Sequence, residues 1–424
     1  MAHESHAKAL PADLGAPAFV DGWKSRALVI GLVFAIVAAV LALLDRSVEH
    51  VLRAWLLGTV LTFGWAVGGL ALLMVQYCSG GKWGLLLRRP LEAMSRTLPL
   101  VFIYWLVVVV FMKRLYLWAQ VTDVGEALKS GFINEVQAHA IEFKRPMLNP
   151  EMFALVGLMC FVIWTFYMWK LNKLGLERDA DSPANTPYWI KRFENISGPG
   201  ILLYAVTMSA AVIYWVMSLD VTWYSSVYGL LFLVGQGYSV LAFSIIVAIS
   251  LARAEPFKTI LRQTEQHDLG KLAFAFVMLN IYLTFAEFLI IYSGNVPDEI
   301  EWYLARIHGG WWVICSLDAI CHWVIPFSIL LSRNIKRSKA KMIWVAAFMI
   351  FARFIDLFWL IEPNFKDARE KLTSEPWSIF AYVTVPVGMV AILIYFYLGE
   401  LTKRPLLNVN DPHTAELLEP EHAH

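Results

Sequence analysis

The chain has 424 residues, 58% of them hydrophobic and 16% charged, with 18 tryptophans and a net charge of +1. A soluble fold of that length cannot hide so much apolar surface. The near-neutral balance and the lack of any nucleic-acid motif leave no ground for a nucleic-acid partner. The composition fits an all-α integral membrane protein, because apolar runs of about 20 residues, the length that crosses a bilayer, recur along the whole sequence.

Residues 1–25 are polar and lack the apolar core of a cleavable signal peptide, so they read as a cytoplasmic tail. Ten transmembrane helices are predicted next, at 26–44, 54–76, 97–118, 151–170, 200–218, 228–251, 270–292, 309–331, 341–361 and 379–398. Residues 26–398 thus form the membrane domain, and 399–424 read as a solvated cytoplasmic tail. Turn-rich or charged breaks separate the spans, as in "CSGGKWGLLLRRP" and "SRNIKRSKAK". The long connection 119–150 has room for a short amphipathic helix on the membrane surface. An even number of spans puts both termini on one side, and that side collects most of the Lys and Arg. By the positive-inside rule both termini are cytoplasmic, in a bacterial inner membrane.

Spans 2 and 6 are both spaced with glycines and both lead into basic connections. That offset predicts a parallel repeat of two four-helix bundles, spans 2–5 and 6–9, with spans 1 and 10 flanking them. Small residues also simply let membrane helices approach.

Ionisable residues inside spans are expensive and mark pathways or locked helix pairs. At about 1.5 Å per residue, Asp318 lies roughly 13 Å and Arg353 roughly 12 Å below the outer edge. The short link between spans 8 and 9 makes these helices neighbours, so Asp318 and Arg353 are expected to form an ion pair. Asp356 shares a helix face with Arg353. Glu287 lies in the outer half of span 7, and His322 one turn deeper than Asp318. Asp220 and Gln236 are secondary polar candidates. On span 8, Trp311, Cys315, Asp318, His322 and Pro326 fall on one stripe, with Pro326 read as a kink. Three uses suit such a column: a proton relay, a quinone pocket with donors and a proton acceptor, or an ion pair that locks helices.

The four cysteines, Cys78, Cys160, Cys315 and Cys321, form no C-x-x-C. Covalent haem and a cysteine-ligated iron–sulfur cluster are therefore not expected in this chain. The histidines other than His322 lie in tails or connections, which argues against a membrane haem with two axial ligands. No metal site, no catalytic residue and no redox centre of the chain's own are predicted.

Five stretches occur in register: "GGKWGLLLRRPLEAMSRTLPL" at 80–100, "MSLDVTWYSSVYGLLFLVGQ" at 217–236, "HDLGKLAFAFVMLNIYLTFAEFLIIYSGNVPDEIEWYLAR" at 267–306, "IPFSILLSRNIKR" at 325–337 and "RFIDLFWLIEP" at 353–363. Together they resemble the F-type membrane subunit of bacterial alternative complex III, related to the NrfD-like anchors of polysulfide and nitrite reductases. The resemblance covers roughly residues 25–400. It implies a subunit of a quinol-oxidising respiratory complex. The implied partners are a related C-type subunit with the quinol site, an iron–sulfur subunit, c-type cytochrome subunits and a terminal oxidase. Iron–sulfur clusters and c-type haems would sit in those partners, with quinone the one cofactor this chain could itself touch. The resemblance also implies a proton-conducting role for buried acids, carried here to Glu287, Asp318, His322, Arg353 and Asp356. A secondary transporter and a purely structural anchor are the competing readings.

Overall fold

The computed structural model describes residues 13–44, 48–370, 372, 376–408, 410, 411, 414 and 417. Lipid offers no partner for backbone N–H and C=O groups, so apolar runs in a bilayer satisfy them internally as helices. Eleven segments carry the fold. They are α1 (Phe19–Leu44), α2 (Glu49–Ser79), α3 (Lys82–Ser95), α4 (Leu98–Val110), α5 (Pro150–Asp179), α6 (Thr186–Trp215), α7 (Tyr228–Leu251), α8 (Gln263–Gly294), α9 (Trp311–Leu331), α10 (Lys339–Ile361) and α11 (Pro376–Leu401). Among the described residues nine helices are long and apolar enough to cross a membrane, or ten if one bent pair counts as a span.

That bent pair corrects the third predicted span. Its helix ends at Val110, and the chain then breaks into the short turns Met112–Leu115 and Leu117–Gln120. Thirteen residues reach only about 20 Å at 1.5 Å per residue, less than the roughly 30 Å hydrocarbon core. With α3, which meets it at 43°, α4 forms a bent pair that is long and apolar enough to count as one span. Pro99 in the first turn of α4 suits a new helix start there. At the other end Tyr116 is extended, and its hydroxyl donates to the carbonyl of Trp215 at 2.8 Å.

The helices pack as two four-helix groups. One is α2, α4, α5 and α6; the other is α7, α8, α9 and α10. The leading helices of the two groups, α2 and α7, pack against each other, while α1 and α11 pair and lie against α2. Gly68 makes the central approach possible: a Cβ there would lie 3.2 Å from the Cβ of Gln236. The most apolar stretch of α2 is completely buried, whereas only 17% of that of α1 or α8 is. Helices α1 and α8 therefore turn apolar faces outward, as lipid-facing helices do. The connection after α4 holds two short capped helices, Val124–Lys129 and Glu135–Lys144, with Phe132, Val136 and Phe143 exposed. That pattern suits the membrane surface.

The first and last described segments meet, where the Leu406 N–H donates to the Leu14 carbonyl at 2.7 Å. The C-terminal segment is not solvated over its described residues. Leu406 and Leu407 are buried, and Asn410 donates to the carbonyls of Asp179 and Asp181 at 2.7 Å each. Asp411 accepts from Arg88 and from Arg178. The segment lacks helical periodicity, but the arginines of α3 and the end of α5 give it partners. Asp411→Ala should cost about 3 kcal/mol, the scale for breaking a buried ion pair. A lowered melting temperature in detergent, with no matching loss for a change at exposed Lys403, checks this.

Candidate functional site

Helix α9 is not a continuous α-helix. Residues Trp311–Asp318 are α-helical, Ala319–Val324 form a π turn, and the α-helix resumes at Ile325–Leu331. Pro326 has no N–H to offer the carbonyl of His322 four residues earlier, which favours the wider turn. π turns recur at functional sites. This one carries His322, and Asp318 directly precedes it. Their exposures are 1% and 5%.

His322 Nδ1 lies 3.9 Å from Asp318 Oδ1. That is within ion-pair range but beyond a hydrogen bond. Neither ring nitrogen of His322, nor Asp318 Oδ1, has a hydrogen-bond partner among the described residues. Tyr238 of α7 packs edge-on against His322 with ring centroids 4.6 Å apart, and its buried hydroxyl is likewise unpartnered.

Helix α10 supplies Arg353 and Asp356, both buried. Arg353 donates to Asp356 one turn on. Its guanidinium lies against Gly235 of α7, where a Cβ would collide with it, and 5.3 Å from the Phe232 ring centroid. The expected Asp318–Arg353 ion pair is therefore replaced by Arg353–Asp356. A partner on the same rigid helix needs no alignment between helices, and α7 holds the guanidinium in place. The charges of Arg353 and Asp356 still act on Asp318.

Glu287 of α8 accepts a hydrogen bond from the Ser225 hydroxyl. Between it and the arginine lies a cavity of about 20 Å³, lined by Asn280, Thr284, Glu287, Arg353 and Asp356 among others. That is room for about one water and too little for a quinone ring. The two secondary candidates do not join this group. Asp220 accepts from the Thr222 hydroxyl and pairs with Arg369 at 3.4 Å. Gln236 accepts from the Tyr204 hydroxyl at 2.8 Å beside the α2–α7 contact.

Ligand atoms of Asp318, His322 and Asp356 lie within 4.8 Å of one another. One imidazole and two carboxylates suit a transition-metal ion chemically, although the sequence predicts no metal. The charges disfavour a divalent ion. Arg353 offsets one carboxylate, leaving one negative charge, which a single proton balances and a divalent ion overshoots.

Sequence reasoning missed Tyr238 and Ser225, although a tyrosine amid the small residues of "VGQGYSV" was a visible signal. It also missed a second buried group. Arg53 of α2 donates to Glu362 at 3.2 Å and to Asp367 at 2.9 and 2.7 Å, and Tyr382 donates to Glu362. Arg306 is fully buried and caps the Leu360 carbonyl at 3.0 Å. Partial burial pushes the Asp367 carboxyl up, but hydrogen bonds and charge from Arg53 outweigh this and hold it below its ordinary range. A depressed carboxyl stabilises the fold above its unfolded pKa, and that share is lost as pH falls through the folded value. Asp367→Asn should therefore weaken the acid dependence of the melting temperature.

No protein-family model matches the chain, and no curated protein does. Fold and site together define a multi-pass, all-α membrane protein with an acid–base cluster inside its second bundle. Gly235→Ala tests the packing. Helix propensity alone favours alanine by about 1 kcal/mol, but displacing Arg353 should destabilise by about 1–3 kcal/mol, the overpacking range. Thermal melting gives the sign.

Proposed function

We propose that the chain is an integral membrane subunit of a quinol-oxidising respiratory complex of the alternative complex III type, and that its second bundle carries protons. The sequence resemblance supports the complex, its bacterial cytoplasmic membrane and its partners: a C-type quinol-site subunit, an iron–sulfur subunit, c-type cytochromes and a terminal oxidase. The observation that carries the proton role is the uneven charge of the cluster. Asp318 and Asp356 stand against Arg353 alone, beside an imidazole with no hydrogen-bond partner among the described residues.

A buried net charge is costly, so one proton resides on the cluster at rest. Asp318 Oδ1 and His322 Nδ1, 3.9 Å apart, are placed to share it through one water. Glu287 and the single-water cavity reach Arg353 and Asp356, the other half of the cluster. Arg353 has two carboxylates to choose between. Moving it from Asp356 to Asp318 transfers the need for the proton from one acid to the other. Quinol oxidation in the partner subunit would drive that exchange, with His322 passing the proton on.

A secondary transporter is the second reading, favoured by the two parallel bundles and the interrupted helix α9. Purification separates the two: a complex with iron–sulfur and haem spectra supports the first, and transport by the isolated chain supports the second. Asp318→Asn should lower the proton-to-electron ratio in proteoliposomes while the complex stays assembled. An unchanged ratio would refute the relay.

A further inference from the structure

A second polar site lies beside the last described segment, which supplies Asp411, well away from the cluster in α9 and α10. A cavity of about 170 Å³ opens where the last turn of α2, the arginines of α3 and α5, and the start of α6 come together. Its lining includes Gln76, Tyr77, Arg88, Arg178, Glu194 and Asp411.

The inner end is built for an anion. Arg88 and Arg178 both donate to the same oxygen of Asp411, the latter at 2.8 Å. Donors remain after that carboxylate is served. Gln76 Nε2, the Tyr77 hydroxyl, and Nε and Nη2 of Arg178 are buried with no hydrogen-bond partner among the described residues. Arg178 Nη2 is 3.6 Å from Asp179 Oδ1, too far for a hydrogen bond. Gln76 and Arg178 are 0% and 2% exposed but belong to the cavity lining, so a ligand in the cavity reaches these donors by a small shift of the side chains around them. Buried donors without acceptors are rare in native proteins. A phosphodiester, with several acceptor oxygens and one negative charge, suits them.

The mouth has the opposite charge. Glu194 lines it and is exposed. Ile190 adds an apolar wall, and Val75, just before Gln76, is 37% exposed. Trp189 on the wall and exposed Tyr188 beside it belong to the aromatic residues that mark headgroup level. A ligand for this cavity is negative at its inner end and cationic at its outer end, with apolar surface at Ile190 on the wall and at Val75 next to it in sequence.

We propose that this cavity binds the phosphoethanolamine headgroup of a phospholipid. The phosphate sits on Arg178, Gln76 and Tyr77, the ammonium on Glu194, and the acyl chains run past Val75.

Cys78 is an exposed free cysteine on the cavity wall and supplies the readout. The full-length protein is placed in nanodiscs of phosphatidylethanolamine, phosphatidylcholine or phosphatidylglycerol. Maleimide modification of Cys78 is then timed by peptide mass mapping. Phosphatidylethanolamine should slow it severalfold relative to phosphatidylcholine, whose quaternary ammonium has no N–H to give Glu194. Glu194→Gln, an exposed change that leaves the arginine network intact, should abolish the difference. Equal rates in phosphatidylethanolamine and phosphatidylcholine overturn the proposal. So does phosphatidylglycerol protecting as well as phosphatidylethanolamine, which marks a general anion site. Protection in phosphatidylcholine discs by soluble phosphoethanolamine or inorganic phosphate also overturns it, because the ligand is then not a lipid.

Discussion

Asp318, Asp356 and Arg353 bury two carboxyl groups and one guanidinium where lipid and protein offer little solvation. Charges in such a setting must be matched within the protein or by something that enters it. In two other buried groups the charges are paired within the protein. Arg53 serves Glu362 and Asp367, and Arg89 serves Glu92 and Asp179. These groups read as helix locks. Around α9 a buried carboxylate oxygen and both nitrogens of the neighbouring buried imidazole stay without hydrogen-bond partners among the described residues. An unmatched acid and base next to each other form a proton site, whereas a matched pair forms a clamp.

The backbone contributes to that state. A regular α-helix through α9 would place Asp318 and His322 one turn apart on a single face. The π turn widens the helix between them, and Pro326 frees a carbonyl at the same point. The neighbouring helix is shaped to suit. Gly235 lets the Arg353 guanidinium lie against α7, and Tyr238, one turn on, closes over the imidazole. Three helices thus hold these groups at fixed spacing: Arg353 is paired with Asp356, while Asp318 and His322 lie side by side with no hydrogen bond between them.

Hydropathy made most of this architecture legible, because span length follows from bilayer thickness. It failed at α4, where the crossing is shared between two helices and neither half is long enough alone. Depth along neighbouring spans brought Asp318 and Arg353 to one level and into one cluster. It did not give the pairing, since a same-helix neighbour such as Asp356 competes at no alignment cost. The Arg53–Glu362 and Arg178–Asp411 contacts join residues at |i−j| of 309 and 233. No local pattern encodes such pairs, and a tail as polar as "NVNDPH" looks solvated until the arginines beneath it are known.

The two bundles share an arrangement but not a chemistry. In the first, the interior is an aromatic stack: Phe63, Trp105, Phe161, Trp164 and Trp215 lie with ring centroids 4.9 to 6.3 Å apart. Such rings fill volume and exclude water. In the second, the matching interior holds arginine, carboxylates and imidazole, with a water-sized gap beside them. The aromatic half gives α2 a stiff backing, and α2 braces α7 across the Gly68–Gln236 contact. The proton role proposed for the charged side would depend on such bracing, because a proton site works only while the distances between its groups are held.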